Sequence, residues 1–261
     1  MFSLKDVGFC YQKESRLFNG VTLNINAGES VCLLGANGSG KSTLLKIFCG
    51  LVFPSAGTFC AFGEEINEDL LEDDFFAKQY HRRVGFVFQN SDAQLFTTRV
   101  WDEIAFGPLQ VGINSDEVRK RVNDVVTILH IEDLVNRSPY RLSGGEKKKV
   151  AFASVLVMNP EVLIMDEPTN GLDPKTQRWL TELIIQLNGA GRTIITATHN
   201  LELAHAISRR ALVLAEDHQV VGDGPTHAIL EDRELLIQVN LIDEYSHVHG
   251  SQEHIHRYTH G

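Results

Sequence analysis

The chain has 261 residues, 43% of them apolar and 22% charged, the proportions of a globular fold large enough for one big domain or two small ones. A formal charge of −10 with a pI near 5.5 argues against a nucleic-acid partner held through its phosphates, and against docking on anionic lipid by charge alone. Cys10, Cys32, Cys49 and Cys60 lie in or beside apolar segments with no C-x-x-C spacing, which reads as reduced core thiols and points to the cytosol. The opening MFSLKDVGF lacks a basic region followed by an apolar one, so no secretory signal is expected. No apolar run nears the ~20 residues a membrane span needs. Any membrane-embedded part of the machinery is therefore expected on another chain.

In chain order, residues 2–11 and 21–25 alternate as strands, and 12–20 between them reads as a turn. Tyr11 closes the first strand. Its ring can stack on a nucleobase or sit half-buried on the strand, and pattern alone leaves both open. Residues 31–34 form a short, β-prone apolar run that reads as a buried strand. Gly35-Ala36-Asn37-Gly38-Ser39-Gly40-Lys41-Ser42 follows and fits G-x-x-x-x-G-K-[ST] at every fixed position. Thr43 opens a helical pattern through 48, completing the strand–loop–helix context that the motif requires. Glycines let successive N–H groups converge on an anion, and the helix N-terminus adds its positive dipole end. Lys41 should reach the β- and γ-phosphates, and the Ser42 hydroxyl should take a position on Mg²⁺. These residues imply that the chain binds a nucleoside triphosphate.

Residues 50–57 read as a loop and 58–62 as a strand; 64–74 hold seven acidic residues in eleven, expected as a solvated surface segment. The apolar run 84–88 delivers Gln89 at its end. From 101 to 158 the chain looks helical, with a helix start at Ser115-Asp116-Glu117 and an apolar face of Val118, Val122, Val125, Val126 and Leu129. Leu142-Ser143-Gly144-Gly145-Glu146 opens a second helix, basic at Lys147, Lys148 and Lys149, and running to about residue 158. Two glycines at a helix entrance expose N–H groups to an anion, although an ordinary helix entrance uses the same residues.

Residues 162–165 form a buried strand ending in Asp166-Glu167, at the carboxyl edge where parallel sheets place their chemistry. Asp166 suits a direct or outer contact to Mg²⁺ opposite Ser42, and Glu167 can deprotonate a water for attack on the γ-phosphorus. A loop over 168–174 and a helix over 175–187 lead to a strand at 193–198, closed by His199, read as a γ-phosphate contact. A hairpin of 211–215 with 219–221 and a last helix over 228–240 complete the reading. Beyond it lie His247, His249, His254, His256 and His260. Imidazoles at that density can hold Ni²⁺, Co²⁺ or Zn²⁺, and a polar tail without function stands as the equal alternative.

In this order, the phosphate loop, Gln89, LSGGE and the Asp166-Glu167 strand resemble the ATP-binding cassette of ABC transporters over roughly residues 2–240. The resemblance implies an α/β fold: a P-loop NTPase core with a mixed sheet, an antiparallel β subdomain and an inserted α-helical subdomain at about 90–160. Residues 1–240 would be the cassette and 241–261 a His-rich tail. In that likeness Tyr11 stacks on adenine, residues 35–43 from Gly35 to Thr43 cradle ATP, and Ser42, Gln89 and Asp166 surround Mg²⁺. Glu167 and His199 are then catalytic, with His199 the switch histidine. Ser143, Gly144, Gly145 and Glu146 form a signature that acts on the nucleotide of a second cassette, and residues 170–173 form the dimer-contact loop. Asn170 departs from the small residue often seen there.

One γ-phosphate cannot easily meet both the phosphate loop and a signature in a separate helical lobe of the same chain. Two chains head to tail would sandwich each nucleotide, as a homodimer or as a heterodimer with a paralogous cassette. QNSDAQLFTTRVWDEIAFGP (89–108) and LSGGEKKKVAFASVL (142–156) look like the cobalt/nickel-uptake and energy-coupling-factor group. That likeness implies integral-membrane coupling and substrate-binding subunits, a peripheral place on the cytoplasmic side of the cell membrane, and a cobalt or nickel cargo. A vitamin importer of the same group and a soluble non-transport cassette ATPase are the alternatives; no nucleic acid is expected.

Overall fold

The computed structural model describes residues 1–12, 15–243, 248–249 and 252–253, with side chains for 1–11 and 17–243. Strands β1 (Phe2–Gln12) and β2 (Ser15–Ile25) pair as a long antiparallel hairpin. Strand β3 (Ser30–Leu34) leads into helix α1 (Lys41–Phe48). Strand β4 (Ala56–Ala61) returns beside β1 and β5 (Glu64–Glu65) extends it, giving a four-stranded antiparallel sheet in the order β2-β1-β4-β5. Helices α2 (Glu68–Glu72) and α3 (Asp74–Arg83) carry the chain to β6 (Val84–Val87).

A helical stretch follows: α4 (Ser91–Gln94), α5 (Val100–Gln110), α6 (Ser115–Leu129) and α7 (Gly144–Leu156). The chain then re-enters the sheet with β7 (Val162–Asp166) and crosses through α8 (Pro174–Gly189) to β8 (Thr193–Ala197). Helix α9 (Leu201–Ile207), β9 (Arg210–Leu214), β10 (Val220–Pro225), α10 (Thr226–Glu231) and α11 (Arg233–Gln238) follow. The second sheet has the order β10-β9-β3-β8-β7-β6, parallel except for the β9–β10 pair. This is the mixed sheet, antiparallel sheet and helical layer of an α/β fold.

The inner strands are apolar on both faces because both faces are covered. On β3, Val31 and Leu33 pack toward the core between the two sheets, and Cys32 and Leu34 toward the helices on the other side. Helix α1 lies within the inter-sheet core, burying Leu44, Leu45, Ile47 and Phe48; the Phe48 ring stacks on Phe2 at 5.4 Å between centroids. Fixing α1 from below in this way aims its N-terminus at the carboxyl edge of the sheet. Among the described residues no helix is long and apolar enough to cross a membrane.

Three expectations are corrected, and a fourth gains detail. Residues 12–20 are not all turn, because β2 begins at Ser15. Asn19-Gly20 form a bulge there: Val7 and Phe9, two apart on β1, face Val21 and Phe18, three apart on β2. Phe18 and Val21 both point inward as a result, which breaks the period of two that marks a strand. Helix α6 is capped by Asn114, whose side chain accepts from Glu117 N–H, and Ser115 is already its first turn. The acidic segment is exposed as expected but folds into β5 and α2, capped by the Asn67 side chain and pinned by buried Ile66. The last helix is two: Asp232 adopts a non-helical ψ of 84° and its carboxylate caps α11 through Leu235 N–H. Of the cysteines, Cys32 and Cys49 are fully buried, while Cys10 and Cys60 are half-buried and all four are free. Burial pushes the Cys32 thiol up to about 12, so it is an inert core thiol.

Candidate nucleotide site

Because β3, β8, β7 and β6 are parallel neighbours, their carboxyl ends deliver four segments side by side along one edge. The glycine loop 35–40 follows β3, Thr198-His199 follows β8, Asp166-Glu167 ends β7, and Phe88-Gln89 follows β6. A cleft of about 250 Å³ opens there, lined by Leu17, Asn37, Gly38, Gly40, Lys41, Ser42, Thr43, Gln89, Asp166, Glu167, Asn170 and His199. Residues separated by more than 180 positions in sequence thus meet at one edge.

The loop closes over its own lysine. Lys41 Nζ donates to Gly35 O at 2.7 Å and Ala36 O at 3.0 Å, and burial lowers its pKa while the charges of Glu167 and Asp166 oppose that shift. Gly35 has φ 152°, and a Cβ there would fall inside contact distance of Leu214 O and Ser39 Oγ, so only glycine fits. Ser42 and Asp166 face the same cleft. Burial raises the Asp166 pKa, the Ser42 hydroxyl opposes this, and the neighbouring Glu167 charge adds to it. A hydroxyl, a carboxylate and the Gln89 amide on one cleft form an all-oxygen donor set of the kind Mg²⁺ takes.

Glu167 is the most constrained residue of the edge. It has a positive φ of 41°, and its own N–H is fixed by Ala197 O at 2.9 Å. Its Oε2 accepts from the buried Thr198 hydroxyl at 3.0 Å. Its Oε1 accepts from His199 N–H at 3.0 Å and lies 2.8 Å from His199 Nδ1. The carboxylate is therefore held at a fixed place beside the loop. Thr198 was missed by sequence reasoning; the only clue was a hydroxyl preceding a strand-end histidine.

Tyr11 lies at the rim, 57% exposed as a residue, with its hydroxyl 3.0 Å from Thr43 Oγ1. The ring is held edge-on by Phe9 at 4.8 Å. Ser143, Gly145 and Glu146 do not join this cleft. They line a second one of about 350 Å³ with Asp173, Lys175, Thr176 and Trp179. Ser143 is the N-cap of α7 and forms a capping box with Glu146: its backbone N–H and hydroxyl both donate to the Glu146 carboxylate, and its hydroxyl accepts from Glu146 N–H. Ser143 and Glu146 thus bind each other, and exposed Gly144 and half-buried Gly145 form the first turn of the helix.

Lys148 is the second residue that sequence reasoning misread. It was grouped with Lys147 and Lys149 as a basic stretch, but it is 1% exposed and its Nζ donates to Phe88 O and Gln89 O, each at 3.2 Å. Burial pushes its pKa down to about 8 against the pull of Asp166. The signal was present: Lys148 shares a helix face with Ala151, Phe152 and Val155, which pack inward. The tail histidines give no test of metal binding. His247, His254, His256 and His260 lie outside the described residues, and His249 is described in backbone only.

A phosphate loop, an acidic strand end and a strand-end histidine on one sheet edge, with a helical lobe inserted between β6 and β7, define an ATP-hydrolysing cassette. Residues 18–170 match the family pattern described as ABC transporter, and the chain belongs to that family. It is an ATPase of that class. Similar proteins include the nickel import ATP-binding protein NikO of Rhodobacter capsulatus, 44% identical over 92% of this chain and 95% of its own length. Another is LarO of Lactiplantibacillus plantarum, also a nickel import ATP-binding protein, 43% identical over 84% of this chain and 92% of its length. The energy-coupling factor transporter ATP-binding protein EcfA of Methanothermobacter thermautotrophicus is 35% identical over 92% of this chain and 76% of its own. Among solved structures, cbiO1 from Clostridium perfringens, part of the ABC transporter complex cbiONQ, superposes with a TM-score of 0.79 at 34% identity, covering 92% and 94% of the two chains. The ATP-binding cassette MJ0796, dimeric and bound to ADP and Pi, gives 0.77 at 30% identity over 87% and 99%.

Proposed function

We propose that this chain is the ATP-hydrolysing subunit of an importer that takes up a transition-metal ion, nickel or cobalt, through separate membrane subunits. The observation that supports the cargo is the similarity along nearly the whole chain to two nickel-import ATPases, with the cbiONQ component as structural neighbour. The similarity to an energy-coupling-factor ATPase favours a second reading, uptake of a vitamin through the same kind of assembly. Residues 1–240 are the cassette, with 90–160 its helical part, and 241–261 the His-rich tail. The protein works peripherally, on the cytoplasmic side of the cell membrane.

In this reading ATP lies along the loop with adenine against Tyr11. Residues 35–43 bind the α- and β-phosphates, and Lys41 exchanges its carbonyl partners for β- and γ-phosphate oxygens. Ser42, Asp166 and Gln89 would hold Mg²⁺, which when bound draws charge off the phosphate oxygens. Glu167, immobilised by Thr198 and His199, takes a proton from a water whose oxygen attacks the γ-phosphorus. The bond to the β–γ bridging oxygen breaks, giving ADP and phosphate. Ser143 and Gly145 complete the site of a second copy, which is why the two clefts of one chain stand apart.

Glu167→Gln tests the chemistry. A glutamine oxygen can still accept from His199 N–H, and its amide can donate to Thr198, so the fold should stand while turnover falls ~100-fold or more. Light scattering should then show an ATP-bound dimer; near wild-type turnover would remove Glu167 as the base. Uptake assays with ⁶³Ni, ⁵⁷Co and labelled vitamins in cells with and without the neighbouring membrane chains decide the cargo. Calorimetry with Ni²⁺ on full-length and 1–245 protein decides the tail, equal heats denying it a metal role.

A further inference from the structure

The segment that follows β6 is fastened to helix α7 at three points. Lys148 Nζ donates to the carbonyls of Phe88 and Gln89. Gln94 bridges the same parts: its Oε1 accepts from Phe88 N–H at 3.2 Å, and its Nε2 donates to Ala151 O at 3.0 Å and Ser154 Oγ at 3.3 Å. Lys147 Nζ meets Asp92 Oδ1 at 2.6 Å on the surface. Of the three, the Lys148 link is the one made by a buried charge, at 1% exposure. Its side chain is enclosed, its two acceptors are adjacent backbone carbonyls on either side of the Gln89 Cα, and the charge of Asp166 acts on it.

We infer that Lys148 is a positioning residue that makes Gln89 and the start of α7 move as one body, so that the glutamine of one nucleotide cleft and the Ser143–Gly145 turn shift together. The physical reason is the cost of separation. Pulling the Gln89 backbone away from α7 would leave a buried ammonium without its acceptors, a penalty above that of breaking an exposed ion pair. A bonded lysine thus acts as a strut: when Gln89 draws toward the triphosphate, the helix entrance five residues before Lys148 is carried along. The inference rests on the reading that Gln89 contacts the nucleotide side and Ser143–Gly145 the partner's nucleotide.

The test uses full-length protein. Lys148→Met keeps the stem and removes the donor; Lys148→Arg restores donors on a longer head. The Met variant should bind fluorescent ATP as a monomer within about twofold of wild type, since Lys41 and the glycine loop are untouched. Its kcat should fall ~10-fold or more, as expected for loss of a charged hydrogen bond, and Lys148→Arg should recover most of that. A uniform loss of binding and turnover that tracks the melting temperature, without recovery in Arg, would overturn the inference.

Hydrogen–deuterium exchange on Glu167→Gln protein with and without MgATP needs no change at Lys148. Residues 88–92 and 143–150 should gain protection with the same ATP dependence, and a response in one segment alone overturns the strut. Gln89→Ala is measured beside them. If that variant loses turnover while Lys148→Met keeps it, the strut fails and the Gln89 reading stands; if Gln89→Ala turns over normally, the Gln89 reading itself fails and takes the strut with it.

Discussion

Gly145 offers a substitution whose sign can be worked from the structure. A Cβ built there falls 2.7 Å from Thr176 Oγ1, 3.4 Å from its Cγ2 and 3.6 Å from Asp173 Oδ2. Thr176 cannot swing away freely, because its hydroxyl donates to Asp173 Oδ2 at 2.6 Å while Asp173 Oδ1 caps α8 through Lys175 and Thr176 N–H. Two terms oppose each other in Gly145→Ala. Replacing glycine in a helix gains up to about 1 kcal/mol, and forcing a methyl into a filled space costs about 1–3 kcal/mol. The net expectation is a loss of about 1 kcal/mol, or about 2–4 °C in melting temperature for a chain of this size.

Thr176→Ala removes the two atoms that the methyl would meet most closely, leaving only Asp173 Oδ2 at an ordinary contact distance. In that background the same Gly145→Ala change should become neutral or stabilising, so the double-mutant cycle should return a coupling of about 1–3 kcal/mol. Thermal and urea unfolding of the four nucleotide-free proteins provides the measurement. Equal effects of Gly145→Ala in both backgrounds would refute the claim that packing of the Ser143–Gly145 turn against α8 demands glycine.

Two predictions complete the set begun with Glu167 and Lys148. Thr198→Val removes the donor to Glu167 Oε2 and the acceptor of Asn200 N–H, so kcat should drop ~10-fold with the KM for ATP nearly unchanged and Thr198→Ser close to wild type. A kcat insensitive to that change would deny the Thr198–Glu167 bond a part in turnover. Tyr11→Ala should weaken nucleotide binding ~10-fold, and equally for ATP and GTP, because stacking on a π-face is tolerant of the base. Unaltered affinity in a fluorescence titration would place the adenine elsewhere.

What the amino-acid order determined is mostly local. The loop 35–42 announces itself because glycine spacing, a lysine and a hydroxyl must be contiguous to wrap a phosphate chain, and Asp166-Glu167 is visible because an apolar run ends abruptly in two acids. The strands β3, β7 and β8 were legible for the same reason, being apolar on both faces. The bulge at Asn19-Gly20 and the break at Asp232 were not, since each interrupts a period that sequence reading assumes to be continuous.

Only the tertiary structure decided which residues cooperate. The order β3-β8-β7-β6 puts His199 and Thr198 against Glu167, contacts that follow from sheet topology and from no spacing in the chain. Packing also buried Lys148, which the chain pattern grouped with its basic neighbours, against the carbonyls of Phe88 and Gln89. Hydrogen bonds between distant segments depend on where folded strands end. A linear pattern carries the chemistry of each group, but its partner is chosen by packing.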